Sequence, residues 1–123
     1  MARDLNNLAT LLQATNRLTE AEPLMRRALS IDEASLGEAH PTVAAHLNNL
    51  ATLLQATNRL AEAEPLMRRH LVIFLAFQRD TGHAHQHRDA AIANYEGLLA
   101  AMGKDAAAIG AKIEAAIEQA GLA

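Results

Sequence analysis

Six histidines stand in this 123-residue chain, and three of them, His83, His85 and His87, alternate in the stretch G-H-A-H-Q-H-R-D. Three imidazoles on one short linker can converge on a transition metal, each nitrogen at about 2 Å. Two observations weigh against that chemistry. The chain has no cysteine and no H-E-x-x-H spacing, and His85 aligns with His40 of an earlier linker in a repeat set out below, which accounts for it without a metal. Nucleophilic catalysis finds no better footing. Ser30 and Ser35 are the only serines, no His and acid are set beside them in sequence, no Gly-rich phosphate loop is present, and the carboxylates are spread without a paired constellation. No enzymatic activity, cofactor or metal is therefore expected, and metal binding through His83, His85 and His87 is kept as an alternative.

The elements that must carry any function follow from composition. Half of the residues are apolar, with 28 alanines and 19 leucines against 8 valines and isoleucines together and three aromatics, Phe74, Phe77 and Tyr95. Ala and Leu lose little rotamer freedom in a helix, whereas strands draw on β-branched and aromatic side chains. An all-α fold is expected. Eleven Lys and Arg against fourteen Asp and Glu give a net charge of −3 and no basic stripe for a phosphate backbone, so nucleic acid is not an expected partner. No apolar run approaches the roughly 20 residues that span a bilayer, and the opening M-A-R-D-L-N-N is not a signal sequence. Membrane association is not expected, and a cytoplasmic location is the default.

The chain repeats itself. Leu5 to Leu29, L-N-N-L-A-T-L-L-Q-A-T-N-R-L-T-E-A-E-P-L-M-R-R-A-L, returns from Leu47 to Leu71 with two changes, Thr19 to Ala61 and Ala28 to His70, at a period of 42 residues. A weaker third copy follows a three-residue insertion: G-E-A-H-P at Gly37 to Pro41 aligns with G-H-A-H-Q at Gly82 to Gln86, and Ile92, Tyr95 and Leu99 take the places of Leu47, Leu50 and Leu54. Within a copy, Leu5, Leu8 and Leu12, flanked by Ala9 and Leu11, have the spacing of one amphipathic helix. The T-N-R stretch at Thr15 to Arg17 predicts a tight turn, and Leu18, Ala21, Met25, Ala28 and Leu29 build a second helix. With that helix starting near Thr19, Pro23 falls in the first turn, where its missing N–H has no acceptor to lose. Gly37 and His40-Pro41 close it and launch the next copy. A hairpin of this kind cannot bury both faces alone, so the copies must stack.

On these residues the chain resembles the tetratricopeptide repeat, in its longer 42-residue variety typified by kinesin light chains. The places that the family fills with large and small residues are held by Leu5, Leu8, Ala9, Leu12, Ala21, Met25 and Ala28, then by Leu47, Leu50, Ala51, Leu54, Ala63, Met67 and His70. E-A-E-P-L-M-R-R and G-E-A-H-P are also characteristic of that variety. The resemblance implies three antiparallel helix-turn-helix hairpins stacked as a short right-handed α-solenoid in one domain: repeat 1 over 1–41, repeat 2 over 42–86 with the insertion, and a divergent capping repeat over 87–123. Glu96 and Lys112 replace a small and a large residue in that last repeat, as suits a polar outer face, and Ile109, Ile113 and Ile117 outline a closing helix that Gly121 stops.

The resemblance further implies a protein or peptide partner held on the concave surface lined by the first helix of each hairpin. Carried over by position, the groove residues are Arg3, Asn6, Thr10 and Gln13, then Asn48, Thr52 and Gln55. An amide donates and accepts at once, as gripping a peptide backbone requires. In the third copy the aligned residues are Ala93, Gly97 and Ala100, so the polar ladder stops. Asn7 and Asn49 point elsewhere on the helix and suit bonds to a neighbouring element, and Arg26, Arg27, Arg68 and Arg69 are expected on a solvated outer face, paired with Glu22 and Glu64.

Two regions depart from the repeat. His70 places an imidazole where Ala28 has a methyl, which overpacks an unchanged interface. The second hairpin's outer helix is therefore expected to run longer and tilt, with Phe74 and Phe77 filling the space against the last hairpin; a partner or dimer patch built from His70, Phe74 and Phe77 is the alternative. At the other end the first helix begins almost at Met1, as though cut from a longer array, so its leading apolar face is expected to be exposed and covered by another chain, a second copy being the expected occupant.

Overall fold

The computed structural model describes residues 2–83 and 88–121, with Ala2, Arg3 and Asn6 described at the backbone only. Among the described residues there are six helices and no strand: α1 Ala2–Ala14, α2 Leu18–Leu36, α3 Pro41–Ala56, α4 Leu60–Thr81, α5 Arg88–Ala101 and α6 Ala106–Gln119. No described helix is long and apolar enough to cross a membrane.

The short turns after α1, α3 and α5 share one device. Asn16 (φ 62°), Asn58 (φ 58°) and Gly103 (φ 85°) adopt the left-handed conformation, which Asn and Gly enter at low cost. Around each, two N–H groups fold back onto the helix just ended: Asn16 onto Gln13 and Arg17 onto Leu12, Asn58 onto Gln55 and Arg59 onto Leu54, Gly103 onto Ala100 and Lys104 onto Leu99. This pattern satisfies carbonyls that a helix end leaves orphaned. The hydroxyls of Thr15 and Thr57 add bonds to the same region, to Leu11 and Leu12 and to Leu53 and Leu54. Gly37 ends α2 with φ 91°, and the His40 ring caps α3 by accepting from the Thr42 N–H at 3.0 Å, with Pro41 at the first helical position.

Pro23 and Pro65 correct one expectation. The helices α2 and α4 start at Leu18 and Leu60, which places both prolines at the sixth helical position, past the first turn. Each removes a real i→i−4 bond, to the carbonyl of Thr19 or Ala61. Proline, Thr19 and Ala61 all lie on the exposed side, where water takes the freed carbonyl and the helix continues.

Each of α1 to α4 packs on the helix that follows it, and α6 rests on both α4 and α5. A single core runs through all of them, from Ala9 and Leu12 through Leu47, Leu50, Leu54 and Met67 to Tyr95, Leu99 and Ala116. The central helix α3 is buried on two sides, against α2 and against α4, so Leu47, Leu50, Ala51, Leu53 and Leu54 are all inaccessible. Among the described side chains of α1, Ala9 and Leu12 are the buried ones; Leu8 and Leu11, part of the same periodic pattern, are 47% and 60% exposed. At the far end, Asp105 caps α6 by accepting from the Ala108 N–H at 2.8 Å, and Arg79 of α4 donates to the Ala120 carbonyl at 3.1 Å where α6 stops. The closing helix is thus tied to α4 as well as to α5.

Candidate functional site: the polar strip of α1 and α3

Asn48, Thr52 and Gln55 recur at i, i+4 and i+7 and share one side of α3. Thr52 is exposed, with Asn48 and Gln55 half-buried beside it. The Thr52 hydroxyl donates to the Asn48 carbonyl at 2.8 Å, which leaves its oxygen as an acceptor for a ligand. In α1, Thr10 is exposed and Gln13 half-buried; the side chains of Arg3 and Asn6 lie outside the described residues. The strip ends at α5. Ala93, Gly97 and Ala100 are exposed there, and a Cβ placed on Gly97 meets nothing within 4 Å, so that surface is open but offers no polar side chain.

The second hairpin is locked onto the first by polar links that run through α2. His46 of α3 meets Asp32 of α2, Nε2 to Oδ2, at 2.7 Å, with the ring buried. Because the carboxylate only accepts, Nε2 carries the proton and Nδ1 is left as a buried nitrogen with no partner among the described residues. Arg69 of α4 donates to Glu33 of α2 at 3.1 Å. Arg59, at the start of α4, donates to Glu22 of α2 and to Glu62. Burial by itself pushes the Glu22 carboxyl up, but the hydrogen bonds from Arg59 and Arg26, with their charges, outweigh it and hold Glu22 below the ordinary carboxylate range. These links fix the offset between hairpins and hence the position of α3 relative to α1.

The expectation of a solvated arginine face needs correction in part. Arg26 pairs with Glu22 at 3.0 Å and Arg27 is exposed, as a solvated face requires. Arg69, however, crosses to the neighbouring hairpin, and Glu64, expected outside beside Arg68, is buried. Its Oε1 accepts from the Tyr95 hydroxyl at 3.2 Å, with Arg68 at 3.5 Å and Lys112 at 3.9 Å. The Tyr95 phenol is pushed up to about 12 by its burial and by the Glu64 charge.

His70 and Phe74 are buried and Phe77 is half-buried. The His70 ring donates from Nδ1 to the Ala44 carbonyl of α3 at 2.8 Å and meets Phe74 edge to face, centroids 5.0 Å apart. The imidazole therefore finds its partner inside its own hairpin, and α4 runs to 22 residues against 19 for α2. Of the three alternating histidines, His83 is exposed, its backbone N–H bonded to the Thr81 hydroxyl, while His85 and His87 lie outside the described residues. Among the described residues no three His, Asp or Glu side chains are grouped to hold a metal ion.

Sequence reasoning missed Asp32, His46 and the burial of Glu64. Both junctions join partners remote in sequence, and each involves a residue on which the copies disagree: Asp32 corresponds to Phe74, His46 to Asp4, and Tyr95, the partner of Glu64, to Leu50. A family model described as tetratricopeptide repeat matches residues 1–76. No curated protein matches the chain.

Proposed function

The chain belongs to the tetratricopeptide repeat family, and on that premise we propose that it is a protein-interaction module that holds a partner peptide or helix along the strip formed by Thr10, Gln13, Asn48, Thr52 and Gln55, continued by Arg3 and Asn6. Repeats of this family generally mediate protein–protein contacts. The observation that carries the reading here is the accessible row of amide and hydroxyl groups on α3, a helix packed on two sides, against α2 and α4. Rigid presentation lowers the ordering cost of binding. The 42-residue period and the G-E-A-H-P linker support the longer, kinesin light chain-like variety. Partner capture from the source cell with the wild type and with Asn48→Ala tests the reading: loss of a captured protein at unchanged thermal stability is expected, and identical capture by the two argues against the strip.

A second reading rests on Leu8 and Leu11. Apolar side chains this exposed on one helix face mark a contact surface, and a second copy of the chain is its occupant in this reading. Sedimentation equilibrium over a wide concentration range should then show a monomer–dimer transition that Leu8→Glu with Leu11→Glu abolishes; a constant monomer mass removes the reading.

A further inference from the structure

The left-handed residues Asn58 and Gly103 place the turns before α4 and α6 in register, so the two junctions between hairpins can be compared position by position. At the first, Glu22 and Glu62 meet Arg26 and Arg59, two carboxylates for two guanidinium groups. At the second, Glu64 stands in the place of Glu22, Arg68 in that of Arg26 and Lys104 in that of Arg59, but Ala107 takes the place of Glu62 and Lys112 that of Met67. Beside them a cleft of about 310 Å³ opens between α4, α5 and α6, lined by Glu64, Arg68, Lys104 and Lys112 with Leu99 and Met102. Arg68 and Lys112 reach Glu64 and Lys104 lines the same cleft, so three cations share it with one carboxylate.

We propose that this cleft is a second binding site, apart from the strip of α1 and α3, and that it takes an acidic segment of a partner polypeptide in which carboxylates flank an apolar side chain. Glu64 is already engaged by Tyr95, Arg68 and Lys112, so the local excess of two positive charges faces the opening. Two carboxylates of a ligand balance it. Met102, with the exposed Ala61 and Pro65, supplies the wall against which an aliphatic side chain packs. A nucleic acid does not fit the same description, because its backbone needs a stripe of cations along the surface, and these three converge on one cleft in a chain of net charge −3. Arg68 and Lys112 are half-exposed and Lys104 is exposed, so the site is open to a ligand from solvent.

Calorimetric titration with the acetylated, amidated peptide E-E-L-E tests the proposal. Saturable binding is expected, weakened by salt, lost for the Q-Q-L-Q counterpart, weakened roughly ten-fold or more by Lys104→Gln with Lys112→Gln, and unchanged by Asn48→Ala. The single variant Lys104→Gln, at an exposed position, gives the same direction should the double variant fold poorly. No saturation with E-E-L-E, equal binding of the glutamine peptide, equal binding by the lysine variants, or saturation by inorganic phosphate alone while the peptide fails, each overturns it.

Discussion

Leu8 and Leu50 stand at one place in two nearly identical hairpins, yet Leu8 is 47% exposed and Leu50 is fully buried. The residues around them in their own helices are the same, from Leu5 to Ala14 and from Leu47 to Ala56. What differs is that α3 is packed between α2 and α4, whereas α1 packs on α2, the helix that follows it. Burial at this place is a property of the stack and not of the hairpin.

The energetic consequence is a large asymmetry between two identical substitutions. Leu50→Ala should destabilise the chain by about 2–5 kcal/mol, through lost transfer energy and a cavity that the fixed helices cannot close. Leu8→Ala should cost less than about 1 kcal/mol, because much of that side chain is in water already. Urea unfolding of the two variants in dilute solution makes the comparison; equal losses would mean that the α1 face is covered in solution.

Much of the fold was legible because the local rules agree with one another. Leucine spacing set the helices, Asn16 and Asn58 marked the turns, and His40-Pro41 marked the start of α3. The second copy repeats the leucine spacing and the T-N-R turn. Pro23 was placed one turn too early because the start of α2 depends on the backbone bonds of the turn, which begin at Arg17, and not on side-chain pattern. The strip of Asn48, Thr52 and Gln55 was legible as a face, since it follows from helical periodicity alone. Its polar support was not. Glu64 and Arg68 have the spacing of an exposed ion pair, and only the hydroxyl of Tyr95, distant in sequence, shows that the carboxylate is inside. Likewise Asp32 corresponds to Phe74 and His46 to Asp4, so the first junction is joined by a polar pair whose members have no counterpart in the other copies.

That polar pair makes a specific demand. The His46 ring has one partnered nitrogen, Nε2 on Asp32, and one buried nitrogen without a partner among the described residues. Asp32→Ala leaves the ring buried with neither nitrogen satisfied and should cost about 1–3 kcal/mol. Replacing both, Asp32→Ala with His46→Leu, removes the orphaned donor and should recover part of the loss. Chemical denaturation of the single and double variants checks this; a double variant less stable than Asp32→Ala alone would show that shape and not hydrogen bonding governs the junction.

Acid should loosen the same junction. Glu22 is held below its ordinary value of 4.5, since the bonds from Arg59 and Arg26 exceed the opposing effect of burial. A carboxyl depressed in the folded state contributes stability that is present above its unfolded value and is lost as pH falls through its folded one. Melting temperature should therefore hold from neutrality to about pH 4.5 on this account and then decline. Arg59→Met removes the contact to both Glu22 and Glu62 and should flatten that decline while lowering stability at pH 7. Melting curves recorded by circular dichroism from pH 7 to about pH 3 distinguish the two chains, and parallel profiles would detach Arg59 from the acid response.

Alkali should loosen the second junction, by the opposite sign. Tyr95 is fully buried with its hydroxyl on Glu64, and burial together with the Glu64 charge pushes the phenol from 10 up to about 12. The unfolded chain therefore releases this proton at lower pH than the folded one. A raised value contributes stability that is present below pH 10 and is lost as pH rises through about 12. Tyr95→Phe keeps the ring in the core but has no proton to lose, so it should be less stable at pH 7 by about 1 kcal/mol, and the gap to wild type should narrow above pH 10. Glu64→Gln separates the two causes: it removes the charge that opposes phenolate formation while leaving the ring buried, so the Tyr95 titration followed by its ultraviolet absorbance should move down without returning to 10. A phenol that titrates at 10 in the folded wild type would place the ring in water and break the link between α4 and α5 on which the closing end of the stack depends.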